Sequence, residues 1–260
     1  MMKSFCLASG SGGNCWYVES KKGFKLLVDC GLSFLKIKEI LIQRDINVEE
    51  LDAIFLTHEH SDHIAGLEVL LKNTNVDVYT SKSTISNFLK NKENLKINSN
   101  IIYIKNHEVL NLLDLRVFAL EKPHDADESL SFVFENNGKK IGIFTDLGHV
   151  PDSFYHILNT CDVLYFETNY CEELINKNKA NYNERYLHRL MSDYGHLSIN
   201  QACEVLSKVS NDNQKIILSH ISENTNSYEN SYLKVKNFLA KENKFPKIYV
   251  SFQNSSSNWF

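Results

Sequence analysis

The chain has little of the two residues that most often interrupt regular structure, with three prolines and ten glycines in 260 positions. That scarcity excludes collagen-like and Pro/Gly-rich disordered classes. Its six cysteines (Cys6, Cys15, Cys30, Cys161, Cys171 and Cys203) are scattered and form no C-x-x-C pair. A chain this long can bury a core of its own, so they read as reduced and mostly buried rather than as a disulfide framework. No stretch approaches the roughly 18 uninterrupted apolar residues of a membrane-spanning helix. The opening Met1-Met2-Lys3-Ser4-Phe5-Cys6-Leu7 reaches Ser9-Gly10-Ser11 before an apolar run develops, which is not a secretory signal. A cytoplasmic protein without membrane contact is expected. The formal net charge of −4 rules out a strongly basic nucleic-acid-binding tail. It leaves room for a local basic groove, because net charge says nothing of distribution.

What is present is an alternation of short apolar runs. Lys3 to Ala8, Cys15 to Glu19 and Phe24 to Asp29 read as strands, separated by turn signals at Gly10-Ser11-Gly12-Gly13 and Lys21-Lys22-Gly23. Helical spacing is expected from Phe34 to Arg44, Ile64 to Leu71 and Ser83 to Leu89, with strands at Ala53 to Leu56 and Val76 to Tyr79. Strands follow near Ile101 to Ile104 and Leu115 to Leu120. Leu130 to Glu135 and Lys140 to Thr145 flank Asn136-Asn137-Gly138, a hairpin signal. The last third alternates strands at Val163 to Phe166, Ile216 to Ser219 and Ile248 to Val250 with helices at Glu184 to Met191, Ile199 to Lys208 and Tyr232 to Ala240. No repeat or linker interrupts this pattern, so residues 1–260 are expected to form one α/β domain. Nothing in the pattern signals a particular oligomeric state.

The chemistry concentrates in Thr57-His58-Glu59-His60-Ser61-Asp62-His63, directly after a buried strand. Three imidazoles and an aspartate in six positions are a ligand set for zinc, manganese or iron. In an extended loop His58 and His60 point the same way and can share one metal, whereas Asp62 and His63 turn toward a second position.

With this motif the chain resembles the metallo-β-lactamase-fold hydrolases, whose signature is H-x-H-x-D-H. The resemblance implies an αββα sandwich and matches further positions one at a time. Asp29, in Leu26-Leu27-Val28-Asp29-Cys30-Gly31, corresponds to an early aspartate that orients the metal loop. His124, in Pro123-His124-Asp125-Ala126, corresponds to the third histidine of a first metal. Asp146, in Ile143-Phe144-Thr145-Asp146, corresponds to a bridging aspartate, and His220, in Ile217-Leu218-Ser219-His220, to the last histidine of a second metal. Two divalent ions, zinc or manganese, are thereby implied: one on His58, His60 and His124, the other on Asp62, His63 and His220, with Asp146 shared. Such a pair lowers the pKa of water and polarises the oxygen under attack, which places Asp62 among the catalytic as well as the metal-binding residues. Histidine rather than glutamate at position 60 argues for hydrolysis over di-iron redox chemistry.

The opening Leu7-Ala8-Ser9-Gly10-Ser11-Gly12-Gly13-Asn14-Cys15, together with Gly195-His196-Leu197-Ser198 and Leu218-Ser219-His220-Ile221-Ser222-Glu223-Asn224, resembles the YycJ/WalJ group. That group is described as 5′-to-3′ DNA exonucleases and is close to the tRNA 3′-processing enzymes. In the latter a glutamate after a strand and a histidine before a helix assist proton transfer, and Glu167 and His196 correspond to them. Only 22 positions separate His124 from Asp146 and 74 separate Asp146 from His220, too few for the RNA-gripping arm or the second lid domain of larger relatives. The spacing leaves an undecorated site, and the resemblance implies a DNA substrate, or RNA, there.

For substrate contacts, the loop of Ser11 and Asn14 offers N–H groups and hydroxyls to a terminal phosphate, or is a plain hairpin turn. The segment Lys177 to Arg189 interleaves Lys177, Lys179, Arg185 and Arg189 with Tyr182 and Tyr186. Arg185 is the expected contact there, in a pattern that suits single-stranded nucleic acid or a solvated helix face. Two other readings stay open from sequence. One is a small-molecule hydrolase of the same fold acting on a cyclic phosphodiester, lactone or thioester; the other is a metal-binding regulatory protein without turnover.

Overall fold

The computed structural model describes residues 1–90, 92, 95 and 97–260. Two sheets face each other. The first has the strands β1 (Lys3–Ala8), β2 (Cys15–Glu19), β3 (Lys25–Val28), β4 (Ala53–Phe55), β5 (Asp77–Thr80) and β6 (Ile101–Tyr103), in that spatial order. The second runs β13 (Lys247–Val250), β12 (Lys215–Ser219), β11 (Val163–Glu167), β10 (Lys139–Phe144), β9 (Leu130–Asn136), β8 (Leu115–Glu121) and β7 (Val109–Leu112). On the outer face of the first sheet lie α1 (Phe34–Ile42), α3 (Leu67–Asn73) and α4 (Lys82–Leu89), with the four-residue turn α2 (Ser61–Ile64) beside them. On the outer face of the second lie α5 (Phe154–Thr160), α8 (Ile199–Val209) and α9 (Tyr228–Lys241). Two short helices, α6 (Glu172–Lys177) and α7 (Glu184–Leu190), sit in the connection between β11 and α8. This is the expected αββα layering.

Period-two alternation distributes each strand between two layers of core. In β3, Leu26 and Val28 face the other sheet while Leu27 faces the helices. In β4, Ala53 and Phe55 face inward and Ile54 outward. Phe55 anchors the contact between the sheets, its ring stacked 4.7 Å from Tyr79 and edge-on to Phe132 and Phe134 at 5.2 and 5.5 Å. Strands covered on both faces need apolar residues at nearly every position, which is why they read as unbroken runs in the sequence.

Most expected elements form within a residue or two of their sequence bounds. Asn137 and Gly138 both have positive φ (50° and 75°), as a two-residue hairpin turn requires. Three elements lacked a periodic signal: β7, α5 and α6. The helix expected from Ile64 to Leu71 is divided into α2 and α3 at Gly66, where a Cβ would lie 2.0 Å from the Leu32 carbonyl oxygen. Among the described residues no helix is long and apolar enough to cross a membrane, and all six cysteines are free and buried.

β3 and β4 run parallel, as do β10, β11 and β12. β1 and β8 are each two antiparallel steps away and so share these directions. The segments after β3, β4, β8, β10 and β12 carry Asp29, residues 57–63, His124, Asp146 and His220, and Glu167 is the last residue of β11. Convergence of carboxyl-terminal strand ends is the usual way an α/β fold assembles a site from distant positions.

Candidate metal centre

The strand ends deliver two groups of donors. In the first, His60 Nδ1 lies 3.1 Å from His58 Nε2 and 3.2 Å from His124 Nε2. In the second, His63 Nε2 lies 3.4 Å from both Asp62 Oδ2 and Asp146 Oδ2, and His220 Nε2 lies 3.5 Å from Asp62 Oδ2 and 3.3 Å from Asp146 Oδ1. Asp146 Oδ1 is also 4.0 Å from His124 Nε2, so this carboxylate stands between the groups. Four donors about 2.0–2.1 Å from a tetrahedral cation are separated by roughly 3.3–3.4 Å, close to the spacings found here. Asp146 Oδ2 and His220 Nε2 are buried without a hydrogen-bond partner, a costly condition unless a cation satisfies them. The residues present therefore fit divalent metal.

Other contacts aim the rings. His63 Nδ1 donates to Asp29 Oδ2 at 2.7 Å, and Asp29 also accepts from the Thr57 N–H and hydroxyl at 2.8 Å each. His58 Nδ1 meets the same Thr57 hydroxyl at 2.9 Å, and His124 Nδ1 donates to the Gly195 carbonyl at 3.1 Å. Occupying one nitrogen fixes the tautomer and leaves the other for a cation. Asp29, Asp146 and His220 all adopt positive φ, at 60°, 58° and 52°. A non-glycine residue in that region costs about 1–3 kcal/mol, a cost the surrounding contacts must over-determine at all three strand ends.

The turn bearing Asp62 is pinned by backbone. Asn14 N–H donates to the Asp62 carbonyl at 2.8 Å, and Cys30 N–H to the His63 carbonyl at 2.7 Å. Gly31 lies so close that a Cβ there would be 1.7 Å from the Asp62 carbonyl oxygen. The α8 N-terminus plays the same part for His196. Ser198 and Gln201 form a capping box two residues on, and the Asn169 N–H donates to the Leu197 carbonyl at 2.9 Å.

His196 Nδ1 donates to Glu167 Oε1 at 2.7 Å, and Glu167 also faces His220 Nδ1 at 3.2 Å. Glu167 Oε2 accepts from the Leu147 N–H at 2.7 Å, so this wholly buried carboxylate is held from three directions. Although it lies close to Asp146, His196 and His220, its oxygens are engaged in positioning.

The local fields differ between the groups. Burial drives His58 well below the ordinary imidazole range and His124 down to about 3. For His220 burial acts in the same direction, but Asp146, Asp62 and Glu167 outweigh it and raise the ring to about 10. His63 is likewise raised, with Asp146, Asp62 and Asp29 overcoming its burial. Burial pushes Asp146 upward, and His220, His63 and Lys122 together hold it well below the usual carboxylate range.

The site opens into a cavity of about 360 Å³ lined by Ser11, Asp62, Asn169, Tyr186, Arg189 and His196, among others. Ser11 is where the sequence places it, at the cavity wall. Two expected substrate contacts are elsewhere. Asn14 is fully buried, its amide spent on Gly10 (2.9 and 3.0 Å) and on Asp62 Oδ2 (3.1 Å), so it supports the metal turn from behind. Arg185 is exposed on α7 and does not line the cavity; the next residue, Tyr186, and Arg189, one turn beyond Arg185, do. The interleaved segment was visible in sequence, but the face turned inward was not.

Sequence reading also missed Thr57, Asn169 and Lys122. Asn169 Nδ2 donates to the His220 carbonyl at 2.9 Å. Lys122 is buried, donates to the Thr145 carbonyl at 2.8 Å and lies 3.6 Å from Asp146 Oδ2. A lysine two residues before a candidate ligand, in a segment otherwise destined for burial, was the available signal.

Fold and site together define a metallo-β-lactamase-fold protein with a histidine- and aspartate-rich divalent-metal centre. Residues 25–221 match the family described as beta-lactamase superfamily domain, and the chain belongs to that superfamily. It is 34% identical over 239 residues to the exodeoxyribonuclease WalJ of Streptococcus pneumoniae serotype 2, covering 90% of this chain and 87% of that protein. It is 31% identical over 237 residues to the exodeoxyribonuclease YycJ of Bacillus anthracis, covering 91% and 88%. Among solved structures, the metallo-β-lactamase-fold protein YhfI from Bacillus subtilis superposes with a TM-score of 0.74 at 16% identity, covering 99% of this chain and 100% of that one.

Proposed function

We propose that this protein is a metal-dependent exodeoxyribonuclease that hydrolyses phosphodiester bonds from a DNA end in the 5′-to-3′ direction, with two divalent ions, zinc or manganese. The observation that carries the reading is the placement of His196, held by the buried Glu167, on the cavity that residues of both donor groups line. Identity to two exodeoxyribonucleases over about nine-tenths of the chain supports the DNA substrate.

His58, His60 and His124 would hold one ion, Asp62, His63 and His220 the other, and Asp146 would touch both. Divalent cations supply Lewis acidity to a phosphoryl oxygen and make water acidic enough to react near neutrality. The chain's own residues do the rest. Asp29 and Thr57 keep His63 and His58 aimed. Cleavage expels an alkoxide, which needs a proton. With Nδ1 committed to Glu167, His196 has Nε2 left to serve as the donor, and Glu167 holds the ring in position for the transfer. Lys122 supplies a fixed positive charge beside Asp146. The intact donor set with an oriented acid is more than a non-catalytic metal protein requires.

The decisive experiment incubates purified protein with manganese or zinc and labelled linear DNA, covalently closed circular DNA and RNA. Release of nucleotides from 5′-phosphorylated linear DNA, blocked by a chelator and absent on circles, is expected. Hydrolysis of a small ester or thioester with no attack on any DNA would replace this reading with the small-molecule one.

A further inference from the structure

The exodeoxyribonuclease reading leaves open how an acidic protein grips a polyanion, and the rim of the cavity supplies an answer that rests on that reading. Tyr186 lines the cavity beside Asp62, His196 and His220 and remains 39% exposed. Its ring lies against Tyr182, with centroids 6.4 Å apart and planes 29° from parallel. Tyr182 is itself fixed: its hydroxyl donates to the Asn224 carbonyl at 2.7 Å, and its ring packs on the buried cluster of Tyr170, Ile175, Leu187 and Leu190. An aromatic ring backed by an anchored second ring is already ordered, so a planar ligand stacking there orders little else.

Away from the metal centre itself, electrostatics offers much less. Arg189 is the one lysine or arginine among the residues lining the cavity, and Asp125 already engages it through its Nε and, at 3.2 Å, its Nη2. The larger neighbouring cavity, about 670 Å³, adjoins His124 and sets five carboxylates, Glu59, Glu121, Asp125, Asp127 and Glu128, against Lys122. That excess of negative charge disfavours a phosphodiester on that side. In the cavity over the metals, Tyr186 is the aromatic ring a nucleic-acid end can meet. The cavity it meets is near the lower limit of the roughly 300–1,000 Å³ pockets that enclose small organic ligands; of the candidate ligands lining it, Asp146 and His220 are buried and His60 and Asp62 half-buried. That space suits an unpaired nucleotide, not a base pair.

We propose that Tyr186, seated on Tyr182, is a stacking platform for the terminal base of a single strand, so that the protein acts on single-stranded or frayed ends with little preference for base identity. Every base has a π-face, so such a platform is tolerant of sequence.

The test combines binding and turnover. A 5′-phosphorylated single strand carrying 2-aminopurine at its terminal position is titrated with the protein in chelator, where no cleavage can occur. Strong quenching is expected with the native chain and with Tyr186→Phe, and loss of quenching with Tyr186→Ala. In turnover on single-stranded DNA, Tyr186→Ala should raise KM about 5- to 150-fold, the equivalent of one base–aromatic stack, with the loss falling on KM rather than kcat. A substrate with an abasic terminal nucleotide should show the same penalty with the native chain and no additional penalty with Tyr186→Ala. Equal quenching by Tyr186→Ala and the native chain, or an abasic end processed as well as a normal one, overturns the platform. Quenching that depends on Tyr186, without nucleotide release from any DNA, keeps the platform and refutes the exonuclease. Nucleotide release insensitive to Tyr186 does the reverse.

Discussion

The floor of the cavity and its rim are made by different means. The floor's donors stand within a few residues of the strands that form both sheets, and Asp29, Asp146 and His220 are held there in a backbone region that non-glycine residues rarely occupy. Every imidazole donor except His60 is aimed by a buried partner: Thr57, Asp29, Gly195 or Glu167. The rim is carried by α6 and α7, whose apolar anchorage is the small cluster of Tyr170, Ile175, Leu187 and Leu190 with Tyr182 against it. It is joined to the floor through the Arg189–Asp125 ion pair, with Asp125 Oδ1 3.4 Å from His124 Nε2 and 3.7 Å from His60 Nε2. Metal ligation and proton transfer tolerate displacements of a fraction of an ångström, whereas a grip that must release a nucleotide and take the next can be looser. The molecule puts its core behind the first task.

If that division holds, the largest effect belongs to the floor. Asp62→Ala should remove a donor and abolish nucleotide release, with a loss of at least about 10³-fold and less metal retained after dialysis; rate assays and elemental analysis check both. Full activity of this variant without metal would falsify the centre altogether. Next is His196→Ala, which leaves both donor groups intact. It should lower kcat on DNA by about 10²–10⁴-fold, the usual worth of general acid catalysis, with metal content unchanged. A phosphodiester whose leaving group departs without a proton, such as a nitrophenyl ester, should be affected far less.

The same division explains what could be read in advance. The sheets were legible because strands buried on both faces write themselves as apolar runs, and the floor was legible because H-x-H-x-D-H and the residues after later runs follow a family pattern. Asp29, His124, Asp146 and His220 all sit where strand ends meet. Asn14 misled because a glycine-rich loop suggests phosphate binding, while the packing of Gly31 and Asn14 against the Asp62 turn is a contact between distant segments. Arg185 misled for a related reason. On a seven-residue helix with few apolar residues, periodicity cannot say which side turns inward, and the wall fell to Tyr186 and Arg189. Lys122 and Thr57 act largely through distant residues, Asp146 and Asp29, that their own segments do not reveal.

A smaller effect discriminates between those two arginines. Arg189→Ala should raise KM for single-stranded DNA a few-fold, partly through loss of the guanidinium and partly because Asp125 is freed beside His60 and His124. Arg185→Ala should change KM by less than about two-fold. Because stacking rather than charge dominates the proposed grip, affinity of the native chain should fall shallowly with salt. The expected logarithmic slope is about −0.7, as for one neutralised phosphate on a single strand. Filter-binding titrations across salt concentrations measure it, and a slope several times steeper would move the grip away from Tyr186.

The smallest effect concerns how the rim is tethered. Glu173 on α6 accepts from Cys171 Sγ at 3.0 Å and pairs with Lys234 on α9 at 2.7 Å. The Cys171 hydrogen bond first, then Lys234, hold its carboxyl down at about 2 against an ordinary 4.5. A depressed carboxylate contributes stability that is complete above its unfolded pKa and lost as pH falls through the folded one. The tether is therefore intact at neutrality and fails between about 4.5 and 2. Glu173 is mostly exposed, so its worth is that of a surface pair, about 0–1 kcal/mol. Lys234→Ala isolates the contact at neutral pH. Hydrogen exchange should quicken in α6 and α7 by no more than about five-fold, while amides of β11 and β12, which carry Glu167 and precede His220, keep their protection. Equal acceleration in those strands would mean that rim and floor open as one unit, and the division between them would not stand.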